Sequence, residues 1–172
     1  MKTFRFEDHF GWPARDIIQF FVDGVDLVPQ EMLDDVKAKK ELVSRREGTK
    51  AYYKSEWCVH GQIPPLAQKI VRPEMLTFIE DTVWDDEAAM FSTKITPHFF
   101  KKQLVCETTS KYWDDGNGGA KRDFRGKIHV NIPIIGPVVE SAIVDGLRKN
   151  NKQNYNLMIK ELTRRLGPEK KK

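Results

Sequence analysis

Cysteine is scarce in this chain of 172 residues: Cys58 and Cys106 are the only two, far apart and inside strand-like runs. A disulfide framework of the kind that staples small exported domains is therefore not indicated. Long apolar runs are missing as well. The best candidate, Ile132-Pro-Ile-Ile-Gly-Pro-Val-Val139, falls short of the roughly 18 residues a membrane span needs, and two prolines and a glycine interrupt it. The opening Met1-Lys-Thr-Phe-Arg-Phe-Glu-Asp-His9 carries charges where a secretion signal has its apolar stretch. Export is not expected, and a reducing cytoplasm is the expected compartment. The glycine patterns that cradle phosphates or dinucleotides are absent, as is a Gly-x-Ser-x-Gly elbow. His9, His60, His98 and His129 lack ligand-type spacing, so neither a metal nor another cofactor is expected. The two thiols have no evident activating partner and read as structural.

The chain also has little charge to spare. Its formal net charge is +4, and residues 164–172 account for all of it through Arg164, Arg165, Lys170, Lys171 and Lys172 against Glu169. A nucleic-acid-binding domain spreads basic groups over a face to follow phosphates. The neutral remainder gives no such face, and no nucleic-acid partner is expected. What is present is the composition of a globular domain: 40% hydrophobic and 31% charged residues, with four Trp, four Tyr and ten Phe. The length predicts one domain, 1–167, followed by a flexible basic tail over 168–172.

Period two dominates the first three quarters of the chain. Residues 3–10 alternate as a strand, Gly11-Trp12-Pro13 breaks it, and a short helix runs from Pro13 to a stop at Asp23-Gly24. A second short helix is predicted over 29–33. Strands follow over 36–46, 50–60, 75–84, 88–96, 103–113 and 121–132. Turn chemistry joins most of them, most clearly Asp114-Asp-Gly-Asn-Gly-Gly119. The connection after His60 is different. Ile63, Leu66, Ala67, Ile70 and Val71 make it too apolar for an ordinary hairpin loop and suit a packed turn or a lid. After Pro137 the period becomes 3.6, and Val138, Val139, Ala142, Ile143, Leu147, Tyr155, Met158, Ile159, Leu162 and Leu166 trace one long stripe. Strands joined by short turns are antiparallel. The expected architecture is therefore α+β: a seven-stranded antiparallel curved sheet wrapped around a long C-terminal helix, with two short helices after the first strand.

This order of elements, with Gly126-Lys-Ile-His-Val-Asn-Ile-Pro-Ile-Ile-Gly-Pro-Val-Val-Glu140 as its most specific stretch, resembles the START-like (Bet v 1-like) helix-grip superfamily and an uncharacterised bacterial family within it. Ile63-Pro-Pro-Leu-Ala67 and Phe78-Ile-Glu-Asp-Thr-Val-Trp-Asp85 are similar to the same family and to PRELI-type phospholipid-transfer proteins, in which such a loop covers a lipid cavity. The basic headgroup residues of the PRELI proteins find no matching motif here. The resemblance implies a cavity between sheet and helix for a lipid or another hydrophobic or amphipathic small molecule, held by a carrier or transfer protein.

Alternation nominates the inward residues. Phe124, Gly126, Ile128, Val130 and Ile132 share one face, as do Ala51, Tyr53, Ser55, Trp57 and Val59, and Leu76, Phe78, Glu80, Thr82 and Trp84. Candidate ligand contacts are Tyr53, Trp57, Phe78, Glu80, Trp84, Phe124, Ile128, Val139, Ile143 and Leu147, under a lid of Ile63, Leu66 and Ile70. The same aromatics would equally fill a core; interspersed polar groups suit a pocket that orients its ligand. Glu80 is either an acid raised by burial, able to orient a headgroup or to serve a cyclase or dehydratase with Tyr53 as helper, or a carboxylate satisfied by a salt bridge or a loop backbone. A third reading makes the chain an interaction module whose tail, through Lys170, Lys171 and Lys172, touches an acidic partner or an anionic membrane. The oligomeric state is not legible.

Overall fold

The computed structural model describes residues 1–172 other than 30, 31, 62, 171 and 172. Strand β1 (Lys2–Phe10) leads into helix α1 (Ala14–Val22). Strands β2 (Val36–Glu47), β3 (Lys50–Val59), β4 (Thr77–Asp85), β5 (Met90–Pro97), β6 (Leu104–Asp114) and β7 (Ala120–Val130) follow, and helix α2 (Gly136–Leu166) ends the fold. All seven strands form one sheet in the order β1-β7-β6-β5-β4-β3-β2, and every neighbouring pair is antiparallel. The second short helix predicted over 29–33 includes residues outside those described.

Several boundaries moved for local reasons. β4 begins at Thr77 instead of 75, because Pro73 opens a 3-10 turn over Pro73–Met75. β7 stops at Val130, two residues early: Asn131 turns its N–H to the Gln103 carbonyl (2.7 Å), and Pro133 follows. Helix α2 then starts so close to the strand that a Cβ on Gly136 would lie 2.1 Å from the Val130 carbonyl oxygen, so only glycine fits there. The outer edge strand β2 is exposed along almost all its length, interrupted by two register shifts and rich in lysine and arginine. Bulges and charge of this kind blunt an open sheet edge.

Cross-strand register puts Phe4, Phe6, Asp8 and Phe10 of β1 on the same face as Arg122, Phe124, Gly126 and Ile128 of β7, and continues that face through Trp84, Phe78 and Trp57. This is the face turned toward the helices, and α2 packs on β7 and β1 while α1 packs on β6. Two apolar clusters hold the layers together. One gathers Trp12, Ile17, Trp84, Tyr112, Met158 and Leu162 beneath α1 and the C-terminal half of α2. The other places Phe4, Cys106, Ile128, Val130 and Val144 beneath the N-terminal half of α2.

Between these clusters the buried stripe of α2 is polar, which the spacing of apolar residues did not reveal. Arg122, only 5% exposed, donates to Asp8 through Nε (2.8 Å) and Nη2 (2.6 Å). The same guanidinium donates to Asn154 (2.8 Å) and Asn151 (2.9 Å) of α2. Two residues of the expected stripe, Val138 and Leu166, face solvent, while Val144, outside it, is buried. The polar girdle fixes both the rotation of α2 and its position along the sheet, because a fork of donors accepts few alternative arrangements.

Burial also accounts for Glu140 at the start of α2. Its carboxylate accepts the Val130 N–H (2.8 Å), faces His129 Nδ1 (3.2 Å) and pairs with the N-terminal amine (3.3 Å). Burial acts to raise its pKa, but these partners win and hold it below the usual range. At the other end of α2, two hydrogen bonds join the residues after the helix to the turn at Gly11 and Trp12. Trp12 Nε1 donates to the Gly167 carbonyl (3.2 Å), and the Lys170 N–H donates to the Gly11 carbonyl (3.2 Å). Lys171 and Lys172 lie outside the described residues.

Candidate functional site: an open groove on the inner sheet face

Because α2 lies over β7 and β1, the inner faces of β4 and β5 are left incompletely covered, while Ala51, Ser55 and Trp57 of β3 are buried. Phe78, Glu80, Thr82, Thr93 and Ile95 all point to this side yet remain only half-buried. They floor a partly open strip of the inner sheet face beside α2. The floor has a pattern. A row of small polar groups, with Thr82 and Thr93 hydrogen-bonded at 2.8 Å and Thr108 next in register, crosses its middle. Bulkier rings flank that row, Trp84 and Phe91 on one side and the stacked pair Trp57 and Phe78 on the other.

Trp57 and Glu80 are its most unusual members. Trp57 is 3% exposed, Lys39 of the edge strand lies over its ring at 4.9 Å, and its buried indole N–H has the Glu80 carboxylate as its polar neighbour. Glu80 sits one register step away, opposite Ser55 and Ile95. Burial raises its pKa, the Lys39 charge and the Trp57 N–H pull it back, and Asp81 pushes it up again. Among the described residues no titratable side chain is within hydrogen-bond distance of Glu80, so the salt bridge foreseen as its ordinary role is not formed. The result is an apolar strip with one inward acid, able to hold a ligand by its apolar body and orient it by that polar group.

The expected contacts separate into three groups. Tyr53, Trp57, Phe78 and Glu80 lie together on the inner face of β3 and β4, and burial raises the Tyr53 hydroxyl pKa against the opposing Arg46 charge. Phe124, Val139, Ile143 and Leu147 are half-buried around the second cluster, where Phe124 packs on Phe4 and Phe6 at 5.7 and 6.0 Å. Trp84 and Ile128 are core instead: neither has exposed surface. Phe21 of α1 covers Trp84 at 5.1 Å between ring centres, a contact no periodicity within one strand discloses. The lid expectation also needs correcting. Leu66 and Ile70 are 49% and 36% exposed, and the fully buried residue of that turn is Ala67; Ile63 is half-buried.

Arg122, Asp8, Asn151 and Asn154 at the helix–sheet interface were not foreseen, nor was Lys39 over the Trp57 ring. The even-numbered phase of β7 contained the signal for Arg122, since it shares its face with Phe124. Cys106 is sealed at the foot of the second cluster, where burial pushes its thiol up to about 12. A hollow of about 540 Å³ lies elsewhere, shallow and lined by residues around Gly126. Its rim of Arg5, Glu107, Arg125 and Lys127 is already neutralised internally: Lys127 pairs with Glu107 at 2.9 Å, and both arginines pair with Asp123. A smaller one, about 370 Å³, lies against the 63–73 segment. Among the described residues no helix is long and apolar enough to cross a membrane.

Solved structures with the same architecture span nearly the whole chain. An aromatase/cyclase, Zhui, from Streptomyces sp. R1128 matches with a TM-score of 0.65 at 9% identity, covering 96% of this chain and 95% of its own. Norcoclaurine synthase from Thalictrum flavum, in complex with dopamine and hydroxybenzaldehyde, matches with a TM-score of 0.62 at 14% identity, covering 93% and 87%. An 18 kDa protein from Caulobacter crescentus matches with a TM-score of 0.60 at 13% identity, covering 96% and 99%. At these identities the likeness establishes the helix-grip fold. No curated protein sequence matches the chain. One family model does, described as Protein of unknown function (DUF2505), over residues 11–159.

Proposed function

We propose that this chain, which belongs to the DUF2505 family, binds a hydrophobic or amphipathic small molecule in the groove between β3–β5 and α2. The observation that carries the reading is the half-buried floor of Phe78, Thr82, Thr93 and Ile95, which ends at the inward acid Glu80 beside the buried Trp57 N–H. Apolar surface and isolated polar groups in one concave place are what ligand sites provide. The residues proposed to touch the ligand are Tyr53, Trp57, Phe78 and Glu80 on the sheet side, with Val139, Ile143 and Leu147 across the groove. The turn through Ile63 and Ala67 closes one end.

The protein acts as a carrier, and the PRELI-like stretches 63–67 and 78–85 extend that reading to a lipid moved between cytoplasm-facing surfaces. Titration with long-chain fatty acids, lysophospholipids and polycyclic aromatics, followed by displacement of an environment-sensitive dye, tests it. Saturable displacement by at least one class is expected, weakened about tenfold or more by Phe78→Asp. Failure of every class to displace the dye would remove the reading.

A second reading makes Glu80 an acid catalyst of a cyclase or dehydratase. The raised pKa of Glu80 and the aromatase/cyclase likeness favour it. It requires a proton-transfer partner that Glu80 gains only with substrate bound. Product formation from a polycyclic candidate, lost in Glu80→Gln while binding persists, would distinguish the enzyme from the carrier.

A further inference from the structure

Antiparallel pairing sends three connections out of one end of the sheet, the end from which α2 starts. They are the 63–76 segment between β3 and β4, residues 98–103 between β5 and β6, and the 131–135 bend into α2. Backbone bonds hold them side by side: the Asn131 N–H donates to the Gln103 carbonyl at 2.7 Å, and the His98 N–H to the Thr77 carbonyl at 3.0 Å. Each carries apolar side chains into solvent. Leu66 and Ile70 are 49% and 36% exposed on the first, Phe99 is 45% exposed on the second, and Ile134 is 82% exposed on the third. Val138 continues the set on the first turn of α2 at 36%. Scattered single hydrophobics on a surface need no explanation, but several on adjoining loops do.

Two details argue for selection of this surface rather than neglect. Ile134 and the neighbour of Phe99, Phe100, hold φ angles of 66° and 59°. A β-branched or aromatic residue seldom adopts that left-handed backbone. The charge is one-sided as well. Lys69, Arg72, Lys101 and Lys102 stand exposed between the apolar tips, and Glu74 is the one carboxylate in the three segments.

We propose that this end of the molecule, presenting Leu66, Ile70, Phe99 and Ile134 among Lys69, Arg72, Lys101 and Lys102, docks on an anionic lipid bilayer. The chemistry favours a bilayer over a protein partner. The apolar groups stand on three loops, two of which also carry exposed cations, Lys69 and Arg72 with Leu66 and Ile70, and Lys101 and Lys102 with Phe99, and this mixture of apolar tips and one-sided positive charge suits an anionic surface with an apolar interior. Tips of this kind enter the boundary between headgroups and acyl chains, while lysine and arginine meet the anionic headgroups. The basic C-terminus is the wrong end for this contact: α2 separates the two by about 45 Å, and Arg164 and Arg165 are already bonded to Glu161. The docking surface rests on exposed side chains alone and stands whether or not the groove carries a lipid.

Co-sedimentation of the full chain with vesicles of phosphatidylcholine alone, and of phosphatidylcholine mixed with phosphatidylglycerol, tests the assignment. Binding is expected on the anionic vesicles and is reduced by salt. The Ile134→Asn/Phe99→Ser variant should bind at least about tenfold more weakly with a melting temperature that is not lowered, since both side chains are exposed and asparagine adopts the left-handed backbone at 134 more readily. Lys101→Glu/Lys102→Glu should lose about fivefold or more per charge. Removal of Lys171 and Lys172 should change nothing. Equal binding to both vesicle types, unaltered binding by the apolar variant, or loss of binding in the truncated chain would overturn the proposal. So would a dimer seen by sedimentation velocity that the apolar variant lacks, together with no vesicle binding, since that marks a self-association face.

Discussion

Removing the Arg122 guanidinium tests what positions α2 over the sheet. Arg122→Leu deletes two bonds to Asp8, at 2.6 and 2.8 Å, and one each to Asn151 and Asn154. It leaves Asp8, whose side chain is 12% exposed, as a nearly buried carboxylate facing an apolar replacement. Breaking one side of a buried ion pair costs about 3–5 kcal/mol, much of it the penalty of the stranded charge. For a chain of this size each kcal/mol lowers the melting temperature by about 2–4 °C, so a fall of roughly 6–20 °C is expected. The double variant Asp8→Leu/Arg122→Leu removes both charges together and should recover most of that loss, because an apolar pair of similar volume often replaces a buried ion pair at little cost. Urea denaturation of the two singles and the double gives the coupling energy directly. A loss below about 1 kcal/mol in Arg122→Leu, or a double variant less stable than both singles, would refute the claim that this network holds the helix.

Three further outcomes follow from single positions. Glu80 has a folded-state pKa raised by burial above its ordinary value. Its contribution is therefore fully present below the unfolded pKa of about 4.5 and is lost as pH rises through the higher folded value. Glu80→Gln should flatten that decline in urea-derived stability, and an unchanged pH profile would argue against burial of the acid. Gly126→Ala would put a Cβ 2.6 Å from the Phe4 ring and 2.7 Å from the Glu107 carbonyl oxygen. Overpacking of this kind should cost about 1–3 kcal/mol by thermal or urea unfolding. Leu162→Ala, at a fully buried site beneath α1, should cost about 2–5 kcal/mol by the same measurement.

The strands and the long helix were legible because each encodes its own period and most turns encode their own chemistry. The inner face of β3 and β4 was legible for the same reason: a period of two assigns a face to every residue once the strand is found. What escaped depends on partners distant in sequence. The segment 148–154 of α2 contains no apolar residue, so a stripe drawn through hydrophobic positions passes over it. Its burial makes sense only when Asp8 and Arg122 arrive from β1 and β7. Trp84 looked like a ligand contact from its own strand, and only the approach of Phe21 from α1 makes it core. Leu66 and Ile70 looked like the inner surface of a lid because they are apolar, whereas the turn buries Ala67 between them.

The central claim is that the groove over Trp57, Phe78 and Glu80 holds a hydrophobic molecule. Native mass spectrometry of the protein as purified, for the wild type and for Phe78→Asp, tests it most directly. The wild type should carry an additional mass that organic extraction releases as an apolar or amphipathic compound, and Phe78→Asp, folded by circular dichroism, should lack it. A bare wild-type mass that remains bare after incubation with fatty acids, lysophospholipids and polycyclic aromatics would contradict the account.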